Sequence, residues 1–171
     1  MMEEMHTPTA LVENKPGVMQ RMSGMFSRRG FNIDNITVGP TENVKYSRVT
    51  LAVNGDERLV EQVVKQLNKL ISVIKVRDID EKDSVCRELA LVKVSTANSK
   101  SRAEITQYVE VFRGNIIDVA TDSLIIEITG DPEKIDAFVE LMEQYGIKEV
   151  ARTGITAMCR GGKTVKDSIK Y

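Results

Sequence analysis

The feature that most constrains this chain is an order of hydrophobic periods that occurs twice. From His6 to Asn14 the residues alternate as a strand, with Leu11 facing opposite to Ala10 and Val12, and with Pro8 tolerable only near a strand start or on an edge. The period then changes to that of a helix. Asn14-Lys15-Pro16-Gly17 supplies the start, with Asn14 or Lys15 as cap and Pro16 at the first helical position, where its missing N–H costs nothing. Val18, Met22, Met25 and Phe26 recur at helical spacing, and Gly30 supplies the stop. Asn32 to Val38 and Tyr46 to Val53 are β-rich runs joined by the turn-like Gly39-Pro40-Thr41-Glu42-Asn43, which predicts a hairpin. Asp56 caps a second helix whose apolar stripe runs through Leu59, Val60, Val63, Val64, Leu67, Leu70 and Ile71, and Val73 to Ile79 closes the unit as a strand.

After the charged stretch Asp78 to Ser84 the order restarts. Glu88 to Ser95 alternates as a strand, and Ile105, Tyr108, Val109 and Phe112 mark a helix ended by Gly114. Asn115 to Val119 and Leu124 to Ile128 flank a turn at residues 120–123, Asp131-Pro132 opens a helix carrying Ile135, Phe138, Val139 and Met142, and Ile147 to Ala151 is the last strand. Both halves read βαββαβ, which folds most simply as a four-stranded antiparallel sheet with two helices on one face. The fold class is therefore α+β, with two ferredoxin-like domains at residues 5–79 and 87–161, a linker at 80–86 and a polar tail at 162–171. Phe26-Ser27-Arg28-Arg29-Gly30-Phe31-Asn32-Ile33-Asp34 and Phe112-Arg113-Gly114-Asn115-Ile116-Ile117-Asp118 echo each other where each first helix enters the second strand. Common descent explains the echo; so does the general fitness of Arg-Gly for ending a helix.

Composition narrows the function. The chain has 171 residues, 42% hydrophobic and 29% charged, enough to build cores. Its 24 basic and 25 acidic residues are interspersed, so no overall field favours nucleic acid or an anionic membrane. No apolar run approaches the roughly 20 residues that span a bilayer, and Met1 to His6 lacks the features of a signal peptide, so the expected location is cytoplasmic. Cys86 and Cys159 lack metal-type spacing and suit a reducing compartment. His6 is the single histidine, which leaves no His-based metal site or triad within one chain. Arg29-Gly30-Phe31 begins like an RNA-binding signature, but it ends a helix and the third strand offers only Tyr46 for base stacking. Gly162-Lys163-Thr164 resembles the end of a P-loop, yet Ala157 stands where that motif needs glycine. The carboxylates Glu104, Glu110, Asp118, Asp122 and Glu127 fit solvated faces better than acid–base pairs.

Asn14 to Val18 puts backbone N–H groups and a glycine at a helix N-terminus beside a strand end, a place that attracts anions such as an amino-acid carboxylate. Gly17 allows close approach to the backbone, Asn14 and Asn32 can accept from an ammonium, and Val18, Met19 and Ile33 can supply apolar contact. By spacing alone the same motif is an ordinary strand-to-helix turn.

Its surroundings carry more information. Glu13-Asn14-Lys15-Pro16-Gly17-Val18, the segment Phe26 to Ile33, Thr37-Val38 and Ser47-Arg48 resemble the ACT domain of the small regulatory subunits of acetolactate (acetohydroxyacid) synthase. Arg87 to Val94, Phe112 to Val119 and Val150 to Gly154 resemble that family's C-terminal domain. The resemblance implies a regulatory subunit with no active site of its own, in valine, leucine and isoleucine biosynthesis. It implies a separate large subunit carrying thiamine diphosphate, Mg²⁺ and often FAD, whose activity this chain raises. It also implies a homodimer through the ACT domains and feedback inhibition by a branched-chain amino acid, valine first. Carried over, the effector positions are Asn14, Gly17, Val18, Met19, Asn32 and Ile33, with Gly39 close behind. The alternative is a stand-alone amino-acid-binding ACT sensor, but no helix-turn-helix output segment is present.

Overall fold

The computed structural model describes residues 4–79, 83–96 and 99–166. By contacts it divides into two compact units, Met1–Val85 with Ile155–Tyr171, and Cys86–Gly154.

In the first unit the order is β1 (Glu4–Glu13), α1 (Val18–Arg29), β2 (Asn35–Pro40), β3 (Tyr46–Gly55), α2 (Glu57–Leu67) and β4 (Val73–Ile79). The sheet order is β2-β3-β1-β4 and the recorded pairings are antiparallel, as the ferredoxin-like arrangement requires. Strand alternation turns Ala10, Val12, Val49, Leu51 and Val53 toward the helices. There they bury against Val18, Met22, Met25 and Phe26 of α1 and Val63 and Leu67 of α2. Gly30 ends α1 in the left-handed region at φ 67°, and the Asp56 side chain caps α2 by accepting from the Leu59 N–H at 2.9 Å.

Several local expectations need correction. Helix α2 stops at Leu67, so Ile71 leaves the predicted stripe and stands 98% exposed, while Leu70 still packs on the core. The second strand starts at Asn35 rather than Asn32. The preceding residues form a loop held by the Asp34 N–H on the Ala52 carbonyl, 3.0 Å. Pro8 lies in β1, a central strand, and the β1–β3 ladder has no recorded partner for Thr7 or Pro8, between His6↔Val53 and Thr9↔Thr50. A residue without an N–H is accommodated by a gap in the ladder rather than by an edge position. The linker is shorter than 80–86, because a strand already begins at Ser84; residues 80–82 lie outside the described residues.

The second unit repeats the plan with β5 (Ser84–Ser95, of which Cys86 onward belongs to this unit), α3 (Ser99–Val111), β6 (Asn115–Val119), β7 (Ser123–Gly130), α4 (Pro132–Glu143) and β8 (Ile147–Arg152). Its sheet order, β6-β7-β5-β8, matches the first. Ala90, Val92, Val94, Leu124, Ile126 and Ile128 face Ile105 and Val109 of α3 and Ile135, Phe138 and Met142 of α4. The rings of Phe112 and Phe138 meet edge to face at 5.3 Å.

Beyond Gly154 the chain returns to the first unit. A short strand, β9 (Thr156–Cys159), and the described residues up to Lys166 cluster with that unit, whereas the sequence pattern assigns residues 155–161 to the second domain and no role to 162–166. Among the described residues no helix is long and apolar enough to cross a membrane.

Candidate functional site

The β1–α1 loop is tied to the β2–β3 turn by the backbone and side chain of one residue. Asn14 donates from its N–H to the Lys45 carbonyl at 2.8 Å and from Nδ2 to the Val44 carbonyl at 3.0 Å. The carboxamide is thereby oriented, and its Oδ1 is left to accept. Gly17 follows at φ 80°, a left-handed conformation that admits glycine without strain. It is the N-cap of α1, and no side chain caps this helix. Helices α2 and α4 differ: Asp56 and Asp131 place a carboxylate on their first-turn N–H groups. The start of α1 carries no acidic residue, so its N–H groups and positive dipole end face outward uncompensated. A Cβ on Gly17 would meet only the Arg21 guanidinium, at 4.0 Å, so the approach is open.

Val18 and Met19 divide by depth. The Val18 side chain is buried in the core at 3% exposure, so this residue can offer a ligand its N–H but no apolar contact. Met19 is half-buried on the core's edge.

Asn32 and Ile33 lie on the α1–β2 loop. The exposed Asn32 donates from Nδ2 to Asp34 Oδ1 at 2.8 Å, and Asp34 Oδ2 accepts from the Asn54 N–H at 3.3 Å. As with Asn14, the carboxamide is pinned by its nitrogen and presents its oxygen. Ile33 is half-buried and, with Phe26, Phe31 and Ile36, forms the apolar wall of an open cleft of about 470 Å³ whose polar wall is Ser23, Ser27, Asp34 and Asn35.

Within one chain these two groups are not brought together. They stand at opposite ends of α1, a helix of 12 residues, or about 18 Å of axial rise. Gly39 falls at the Gly17 end, because its partner in β3 is Arg48 and the same end of β3 pairs Tyr46 with Glu13. Sequence patterns did not reveal the cleft residues Ser23 and Ser27, although their spacing of one helical turn beside Phe26 was available. They also missed the Val44 carbonyl, a backbone group that carries no residue-type signal.

Comparison with known proteins agrees with this architecture in both units. Residues 9–75 match the model of the AHAS small subunit-like ACT domain, and residues 87–161 match the model of the small subunit of acetolactate synthase. The chain is 56% identical to the "Probable acetolactate synthase small subunit" of Methanothermobacter thermautotrophicus, over 96% of this chain and 98% of that one. It is 48% identical to the acetolactate synthase small subunit of Bacillus subtilis, over 95% and 94%. The crystal structure of the acetolactate synthase small subunit from Thermotoga maritima superposes with a TM-score of 0.86 at 47% identity, covering 94% of this chain and 99% of that one. With relatives of this identity along nearly its whole length, and with an ACT-type unit followed by a second βαββαβ unit, the chain belongs to the acetolactate synthase small-subunit family, the regulatory subunits of that enzyme.

Proposed function

We propose that this chain is the feedback sensor of acetolactate synthase, raising the activity of a large catalytic subunit and lowering it again when a branched-chain amino acid, valine first, binds a site shared by two copies of the first unit. The observation that carries this reading is the separation of the two candidate groups by the length of α1. One group offers N–H donors and the Asn14 oxygen, the other the Asn32 oxygen and an apolar wall at Ile33. An amino acid needs all of these: donors for its carboxylate, acceptors for its ammonium, and an apolar surface for its side chain.

A two-fold pairing of β2 edges supplies the missing half. Strand β2 is the outer strand of its sheet, and Ile36 and Val38 on it are 41% and 46% exposed. Two such edges paired antiparallel about a two-fold axis place the α1–β2 loop of one copy beside the β1–α1 loop of the other. The amino acid then binds one arrangement of the dimer better than another and shifts the equilibrium by that difference, about 1–3 kcal/mol for a several-fold to hundredfold effect. Thiamine diphosphate, Mg²⁺ and often FAD belong in this scheme to the large subunit.

The test is valine titration of the holoenzyme reconstituted with Gly17→Asp. The new carboxylate stands at the exposed start of α1, in a left-handed position that costs Asp some strain, and repels the ligand carboxylate. Valine inhibition is expected to disappear while basal activation by the subunit persists. Inhibition with an unchanged midpoint would refute the site.

A further inference from the structure

One carboxylate on the α1–β2 loop serves donors from two segments of the first unit. Asn32 Nδ2 donates to Asp34 Oδ1 at 2.8 Å, and Asp34 Oδ2 accepts from the Asn54 N–H of β3 at 3.3 Å. The Asp34 N–H in turn bonds the Ala52 carbonyl at 3.0 Å, which fixes the loop against the same strand. A carboxylate accepts and does not donate. It therefore draws the NH2 of Asn32 toward itself and leaves Asn32 Oδ1 as the group the loop offers a ligand. Turning that carboxamide over would set oxygen against oxygen.

Asn14 is oriented in the same sense, because its Nδ2 is engaged by the Val44 carbonyl. Both carboxamides of the candidate site thus present acceptors. The ammonium of an amino acid meets them with N–H donors. The α-keto acid of the same skeleton carries a carbonyl oxygen at that position, an acceptor facing acceptors. The two molecules share their carboxylate and their branched side chain, so neither the N–H groups of α1 nor the apolar wall at Ile33 can tell them apart. Discrimination falls to the direction in which the carboxamides point.

We propose that Asp34 is the positioning residue that makes the effector site select an amino acid over the corresponding α-keto acid, acting through the orientation of Asn32. The proposal rests on the two-copy effector site described above. The same geometry dictates what reverses the selection. In Asp34→Asn the new amide has a single oxygen, and the Asn54 N–H takes it, since an NH2 in that place would set donor against donor. The new NH2 then points at Asn32, which turns its oxygen inward and its own NH2 toward the ligand. One acceptor of the site becomes a donor.

The experiment is calorimetric titration of the full chain with valine and, separately, with α-ketoisovalerate. The wild type is expected to prefer valine by at least about a hundredfold, as a site built around one hydrogen-bonding group rejects the analogue that lacks it. Asp34→Asn is expected to weaken valine and strengthen α-ketoisovalerate, so that the preference falls by about tenfold or more. Asp34→Ala, which leaves the Asn32 carboxamide unpinned, is expected to weaken valine with a smaller gain for the keto acid. A merely structural role for Asp34 would move both ligands together in both variants. An Asp34→Asn chain that keeps the wild-type preference, or loses both ligands in proportion, overturns the proposal, and the effector site itself stands if Gly17→Asp still abolishes valine binding. A wild-type chain that binds no valine overturns the site and this proposal with it.

Discussion

Arg152 holds Glu88 at two points, Nε to Oε1 at 2.8 Å and Nη2 to Oε2 at 2.7 Å, and reaches Asp136 with Nη1 at 2.6 Å. The fork joins β8 to β5 and to α4, and Glu88 is only 4% exposed at its side chain. Its hydrogen bond to Arg152 keeps the guanidinium protonated beyond the ordinary arginine range, against the opposing effect of burial. Arg152→Met strands a buried carboxylate and should destabilise the second unit by about 2–4 kcal/mol, while adding Glu88→Met should restore much of the loss. Urea unfolding of the two variants checks both parts.

The ends of α1 and α3 solve the same turn differently. Gly30 occupies the left-handed position at φ 67°, but in the second unit Arg113 does so at φ 52°. Gly114 is needed for another reason: a Cβ there would lie 3.0 Å from the Glu127 carbonyl oxygen. Gly30→Ala should cost about 1–2 kcal/mol through backbone strain alone. Gly114→Ala should cost about 1–3 kcal/mol, because backbone must move. Arg113→Gly should be neutral to about 1 kcal/mol stabilising, the relief of strain being offset by a looser unfolded chain. Thermal unfolding of the three variants separates these effects.

The β2 edge makes the two-chain site testable with its polar groups left in place; of the two edge residues, Ile36 also lines the cleft beside Ile33. Ile36→Lys with Val38→Lys places charge on the exposed apolar edge while leaving the Asn14, Gly17 and Asn32 positions intact. The double variant is expected to be monomeric by light scattering and to lose valine response at concentrations that saturate the wild type. A variant that stays dimeric with normal valine response argues for a different interface.

Tyr145 donates its hydroxyl to Glu104 Oε2 at 3.1 Å. Desolvation, then the bond to Glu104, raises its pKa from 10.0 to about 12. A folded-state value above the unfolded one means that the stabilisation is complete below pH 10 and is lost as pH rises through about 12. Ultraviolet titration should show one late tyrosinate step that Tyr145→Phe removes, and the wild type should lose stability over that interval relative to this variant.

The sequence by itself determined the two βαββαβ units, their helix-facing residues and most helix ends, because period, caps and glycines act over a few neighbouring residues. Asp56 and Asp131 cap the helices they precede, and Val73–Ile79 and Asn115–Val119 are strands over the predicted spans. The Arg-Gly echo illustrates the limit of such signals: similar residues end both first helices, yet glycine takes the left-handed turn in one and permits a close backbone approach in the other. Tertiary structure alone decided between core and ligand contact for the Val18 side chain, and that Asn14 and Asn32 are both pinned to present an oxygen. It alone decided the course of residues 155–166, whose anchors are carbonyl groups of Ala157 and Thr164 gripped by arginines more than 80 positions away. Such contacts join backbone atoms to distant side chains, and no local periodicity records them.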